Sequence, residues 1–134
     1  MKFSSYLLIL FPFLVFAQAP PVIKYQATAY DLTGEILSNQ EISVKMSIVK
    51  DDSSESIQWL EIHTTTTTTE GLFTLSIGAG EKIKSNVEAL IDINWLSATY
   101  FLKIELDIEQ DGSYVDFETQ QFISVPYSLY LENP

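Results

Sequence analysis

Apolar and polar residues alternate with a period of two along most of the chain. Ile23, Tyr25, Ala27 and Ala29 alternate with Lys24, Gln26 and Thr28. Ile42, Val44, Met46 and Ile48 alternate with Glu41, Ser43, Lys45 and Ser47. Phe73, Leu75 and Ile77 enclose Thr74 and Ser76, and Leu102, Ile104, Leu106 and Ile108 alternate with Lys103, Glu105, Asp107 and Glu109. Successive side chains of a strand point to opposite faces, so this pattern predicts strands with one buried face. Turn chemistry separates them: Asp31-Leu-Thr-Gly34, Asp51-Asp-Ser-Ser54, Glu70-Gly71, Gly78-Ala-Gly80 and Asp111-Gly112. Short strands at this spacing predict an all-β, Ig-like antiparallel sandwich of about seven strands. Residues 85–90 are expected to form at most a helical turn, and 91–95 a partly buried connector.

Six consecutive threonines, 64–69, could be a linker, a glycosylated stalk or a strand. Threonine is β-branched and suits strands, and the run lacks the Gly, Ser or Pro of a flexible linker. The expectation is one long strand over 57–68, turning at Glu70-Gly71 into a strand over 72–77. Leu60 and Ile62 are assigned to its buried face, with Trp59, Glu61 and His63 on the other. O-glycosylation of exposed threonines is the functional alternative.

The start of the chain changes the picture. A basic residue, Lys2, precedes an apolar run over residues 6–16 and then Ala17-Gln18-Ala19-Pro20. This is the pattern of a secretory signal peptide, too short in its apolar part to span a bilayer. Residues 1–17 are expected to be removed, with Ala19 as the second cleavage position, leaving 18–134 as a single domain outside the cytoplasm. The chain has no cysteine, so no disulfide can brace it. Every basic residue is a lysine, seven against eighteen acids, for a net charge of −11. Phosphate recognition needs clustered Lys or Arg, so nucleic acid is excluded as an expected partner.

Candidate chemistry is sparse. There is one histidine, and it shares a strand face with Trp59 and Glu61, which allows a Glu–His hydrogen bond; the expectation is a strand histidine satisfied by a neighbour or by water. A hydrolase would need a serine or threonine nucleophile near His63, and the sequence marks none. No catalytic residue is assigned. Asp107, Glu109, Asp111 and Glu118, with Gly112, resemble part of a twelve-residue calcium loop. Alternating strands flank it, so the favoured expectation is a hairpin with a two-residue turn at Asp111-Gly112 and no cofactor. In that register Asp107 faces Asp116 and Glu105 faces Glu118, an acidic outer face that could attract a cation or a basic partner. Trp59, Tyr30, Phe101 and Phe122 fall outside the assigned core positions, Phe101 and Phe122 as cross-strand partners. Core packing against a second sheet is the main expectation for them. Trp59, Phe101 and Phe122 are the candidates if the chain stacks on a glycan.

Five segments carry a resemblance: Tyr25-Gln26-Ala27, Asp31-Leu-Thr-Gly34, Gly71-Leu-Phe-Thr-Leu-Ser-Ile-Gly78, Tyr100-Phe-Leu-Lys103 and Ser124-Val-Pro-Tyr-Ser-Leu-Tyr130. In this order they resemble the N-terminal module of secreted or surface proteins of Bacteroidota-type bacteria, which precedes tail-fibre-like or collagen-like regions. The layout is also similar to transthyretin-like and carboxypeptidase-regulatory-like sandwiches. The resemblance implies a non-catalytic structural or interaction module of the cell envelope or extracellular space, with a protein or glycan partner at the cell surface. A carbohydrate-binding module is the alternative.

Overall fold

A computed structural model describes residues 22–51 and 55–122. The expected signal peptide and the closing segment 123–134 lie outside the described residues. Among the described residues, seven strands form two antiparallel sheets. The smaller pairs β1 (Ile23–Thr28) with β4 (Leu72–Ile77). The larger has the order β5 (Glu81–Ser85), β3 (Ile57–Thr66), β2 (Glu41–Lys50), β6 (Tyr100–Asp107) and β7 (Val115–Gln121). The protein is an all-β antiparallel sandwich. No helix among the described residues is long and apolar enough to cross a membrane.

The period-two alternation maps onto the core. Ile42, Val44, Met46 and Ile48 of β2 are buried, and their partners Leu106, Ile104 and Leu102 extend the apolar face across β6. Phe73 of β4 packs between Tyr25 and Phe117, each ring centroid 6.1 Å away. A two-strand sheet cannot cover five strands, and the β5–β6 connector contributes to the same core. Its Leu90, Ile93 and Trp95 are buried, around a short 3-10 turn at Leu90–Asp92. Trp95 meets Tyr100 and Phe122 edge-on, at 5.3 and 5.1 Å. The connector over 91–95 is as expected, whereas 85–90 is not a helical turn: β5 runs to Ser85, and the turn starts at Leu90.

β5 has no apolar alternation to announce it. Its four leading residues are exposed, including Ile83, and its lysines sit on a sheet edge, where charge discourages pairing with other chains.

The face of β3 is opposite to the expected one. Trp59, Glu61 and His63 lie across from Ile48, Met46 and Val44, so they face the core, while Leu60 and Ile62 pair with Ser47 and Lys45 on the outer face. Tryptophan offers more apolar area than leucine, and Glu61 finds its hydrogen-bond partners inside.

The threonine run has two halves. Thr64, Thr65 and Thr66 complete β3, and residues 67–71 carry the chain from one sheet to the other. Thr67 is the buried member. Its hydroxyl donates to Leu37 O (2.6 Å) and accepts from Gln40 N (3.0 Å). Gly71 closes the turn at φ +81°, where a Cβ would run into the Ile36 side chain and crowd the Ala29 and Leu37 carbonyls. Thr67→Val is expected to lose about 1–3 kcal/mol by orphaning these backbone groups. Exposed Thr64→Val should stay within about 0.5 kcal/mol. Urea unfolding of the two variants checks this, and equal losses would contradict the assignment of Thr67 as the corner.

The β6–β7 link also departs from expectation. Asp107 is buried, and its carboxylate accepts from the amides of Asp111 (3.2 Å) and Gly112 (2.8 Å). Residues 108–114 therefore form a wider loop, with Gln110 and Gly112 at positive φ, rather than a two-residue turn. A bulge between Ile104 and Glu105 resets the register: Asp116 faces Glu105, Glu118 faces Ile104, and Asp107 is not opposite Asp116. Lys103 sits between the facing acids, 3.7 Å from Asp116 and 4.0 Å from Glu105. Phe101 pairs with Gln121, so Phe101 and Phe122 are not cross-strand partners.

Candidate functional site

Two polar arrangements and one cleft hold the chemistry of the described residues. The first centres on Glu61, which is 0% exposed. Its Oε1 accepts from Trp59 Nε1 (2.7 Å) and Gly78 N (2.6 Å). Its Oε2 accepts from Gly80 N (2.8 Å), and His63 Nε2 lies 2.5 Å away. Alternation along β3 puts Trp59, Glu61 and His63 on one face. The glycines come from the link that takes the chain from β4 in the small sheet to β5 in the large one. The carboxylate thus ties the sheet crossover to β3. Burial alone would raise the Glu61 pKa, but the bonds from His63, Trp59, Gly78 and Gly80 outweigh it and hold the pKa below the usual glutamate value. The Glu–His contact that the sequence allowed is present, and the neighbour that satisfies the histidine is Glu61, with the histidine side chain 12% exposed. Lys82 stands over the Trp59 ring, 5.1 Å from its centroid.

The second arrangement joins the two sheets at their other edge. Tyr25 of β1 donates its hydroxyl to Glu118 of β7, and Gln120 donates to the same carboxylate. Burial, reinforced by Glu118, drives the Tyr25 pKa upward, so the phenol stays protonated and donating.

The third feature is a cleft of about 360 Å³ at one end of the sandwich, between the Asp31-Leu-Thr-Gly34 turn and the β6–β7 loop. Asp31 Oδ1 accepts from Thr33 N (2.9 Å), Thr33 Oγ1 (2.6 Å) and Glu35 N (2.9 Å), and Gly34 takes φ +85°. Thr33 first, then the Glu35 amide, holds the Asp31 carboxyl below its usual range. Asp111 is lowered in the same way, chiefly by the Ser113 amide. Leu32, at the tip of the turn, is 87% exposed beside Val115 at 39%.

Of the calcium candidates, Glu109 and Asp111 both line the cleft, whereas Asp107 and Glu118 are engaged elsewhere, so the four do not converge on one point. Asp107 caps loop amides, Asp111 accepts from Ser113, Glu118 is held by Tyr25 and Gln120, and Glu109 lies on the cleft. Among the described residues no three acids, histidines or cysteines are grouped to hold a metal ion. Of the aromatic candidates, Trp59 is in the core, Phe122 packs on Trp95 and Phe101 is half-buried, so they do not share a platform. Tyr30 is 47% exposed. Sequence reasoning missed the role of Gly78 and Gly80. The available signal was two glycines two apart beside a Trp-x-Glu-x-His strand face.

Fold and geometry together define a two-sheet sandwich with its Glu–His pair inside and an apolar cleft outside. The chain belongs to the family described as Domain of unknown function (DUF8740), whose model matches residues 24–121. No curated protein and no solved structure matches it.

Proposed function

We infer that the chain is a secreted, non-catalytic structural or interaction module of the bacterial cell envelope or extracellular space. The observation that carries this reading is the use made of His63 and Glu61. The one imidazole and its carboxylate are spent on holding the sheet crossover, with Trp59 and two glycine amides as further donors. A catalytic Glu–His pair instead has to meet substrate with a pKa suited to proton transfer near the working pH. The leader pattern at residues 1–17 and the resemblance to N-terminal modules of Bacteroidota-type surface proteins, with a transthyretin-like layout, support the location and the role. The net charge of −11 suits a soluble, extracellular surface and disfavours anionic partners.

Cell fractionation with N-terminal mass spectrometry, combined with cross-linking in intact cells, tests the reading. The expected product begins at Gln18, lies outside the cytoplasm and is cross-linked to an envelope or extracellular component. A cytoplasmic protein still carrying Leu7 and Phe16, recovered as a lone species, would count against it.

A further inference from the structure

We propose that the cleft between the 31–34 turn and the β6–β7 loop is a docking site for a protein segment that presents a large aliphatic side chain next to a lysine or arginine. The proposal rests on the interaction-module reading and gives it a site and a partner chemistry. Leu32, Ile108 and Val115 are its apolar lining residues, and the acids Asp31, Glu109 and Asp111 line it beside them. A volume of about 360 Å³ is large enough for a side chain and lies within the usual range of ligand sites.

The fold does not require the apolar residue at the tip. The turn is made by the Asp31 carboxylate and by Gly34, which meets nothing within 4 Å of a built Cβ. Leu32 is 87% exposed, so it contributes little burial to the folded chain.

Charge selects among occupants. The three acids face no lysine in the cleft lining, and backbone amides hold Asp31 and Asp111 in place before any ligand arrives. A cationic group beside an apolar one complements this surface. A second copy of the chain is a poor occupant, since eighteen acids oppose seven lysines and there is no arginine. An anionic ligand would be repelled.

The test uses the purified protein and a synthetic peptide, acetyl-Gly-Lys-Leu-Lys-Gly-amide, followed by amide NMR shifts. Controls replace both lysines by glutamate, or the leucine by glycine. Saturable shifts are expected at the amides of Leu32, Thr33, Glu109 and Ser113, with either control bound at least about tenfold more weakly, a change on the scale of one buried aliphatic group. Leu32→Ser removes an exposed side chain and should weaken binding about tenfold without shifting the melting temperature. Asp31→Asn with Asp111→Asn keeps the loop acceptors, so it should weaken binding and flatten its salt dependence. The proposal is overturned by shifts spread over the acidic surface regardless of the leucine. It is overturned equally by shifts there from cellohexaose but not the peptide, or by concentration-dependent shifts of the protein alone that map to the cleft. Saturable peptide binding elsewhere also overturns the cleft while leaving the interaction-module reading intact. That reading fails separately, on the location and cross-linking result.

Discussion

Glu61→Gln is expected to destabilise the protein by about 3–5 kcal/mol, because the amide forfeits two hydrogen bonds to a charged group, worth about 1.5–3 kcal/mol each. Glutamine has nearly the same shape. However, all four groups around this side chain are donors: Trp59 Nε1, His63 Nε2, Gly78 N and Gly80 N. The new amide NH₂ would face one or two of them donor to donor. For a domain of this size about 1 kcal/mol corresponds to roughly 4–8 °C, so the melting temperature should fall by more than about 10 °C. The pH dependence has a definite sign. The folded pKa of Glu61 is lowered, so its contribution is fully present above the unfolded glutamate value of about 4.3 and is lost as pH falls through the folded pKa. The gap between wild type and variant in urea unfolding should therefore narrow as pH falls below about 4. A gap that kept widening below about pH 4 would contradict this role.

Gly80→Ala should reproduce much of that loss from the other side of the contact. A Cβ at residue 80 would overlap Glu61 Oε2 and the His63 ring at Nε2 and Cε1. Neither neighbour is a free surface side chain: Glu61 is 0% exposed and tied by four donors. Relief requires moving the crossover away from β3, which lengthens the bond from the residue-80 amide. Overpacking and a weakened charged hydrogen bond together give an expected cost of at least about 2 kcal/mol. Exposed Ala79→Ser, one position away, should change stability by less than about 0.5 kcal/mol. Thermal unfolding of the pair checks the contrast. Similar small changes in both would mean that the crossover accommodates a side chain freely. If the two losses arise from one contact, the double variant Glu61→Gln, Gly80→Ala should cost clearly less than their sum.

The strands of β1, β2, β4 and β6 were legible because one face of each is buried and the other is not, which writes a period of two into the residues. β3 was misread on the same logic. Leu60 and Ile62 look like core, and Glu61 looks like surface. Glu61 is inside because two of its donors lie 17 and 19 residues away, on a crossover that local pattern does not reveal. β5 was missed because an exposed edge strand has no buried face to mark it. The hairpin at Asp111-Gly112 was drawn too tight for a related reason. Asp107 occupies an alternating outward position in the sequence, yet it turns in to cap the loop amides. Asp31 was different. An Asp three residues before a Gly builds its turn from nearby atoms, so the sequence located that turn, which the fold uses as one wall of the cleft. The other wall depends on the bulge in β6–β7 and was not legible.

The account turns on Glu61 being an ionised structural anchor rather than an acid or base available for chemistry. NMR titration of its side-chain carboxyl, with hydrogen exchange of the Gly78 and Gly80 amides on the same sample, tests this most directly. The account predicts a carboxyl that titrates below the ordinary value of about 4.3, and two glycine amides that exchange as slowly as those of β4. A carboxyl that titrates near neutral pH, beside glycine amides that exchange as fast as the open loops, would contradict it.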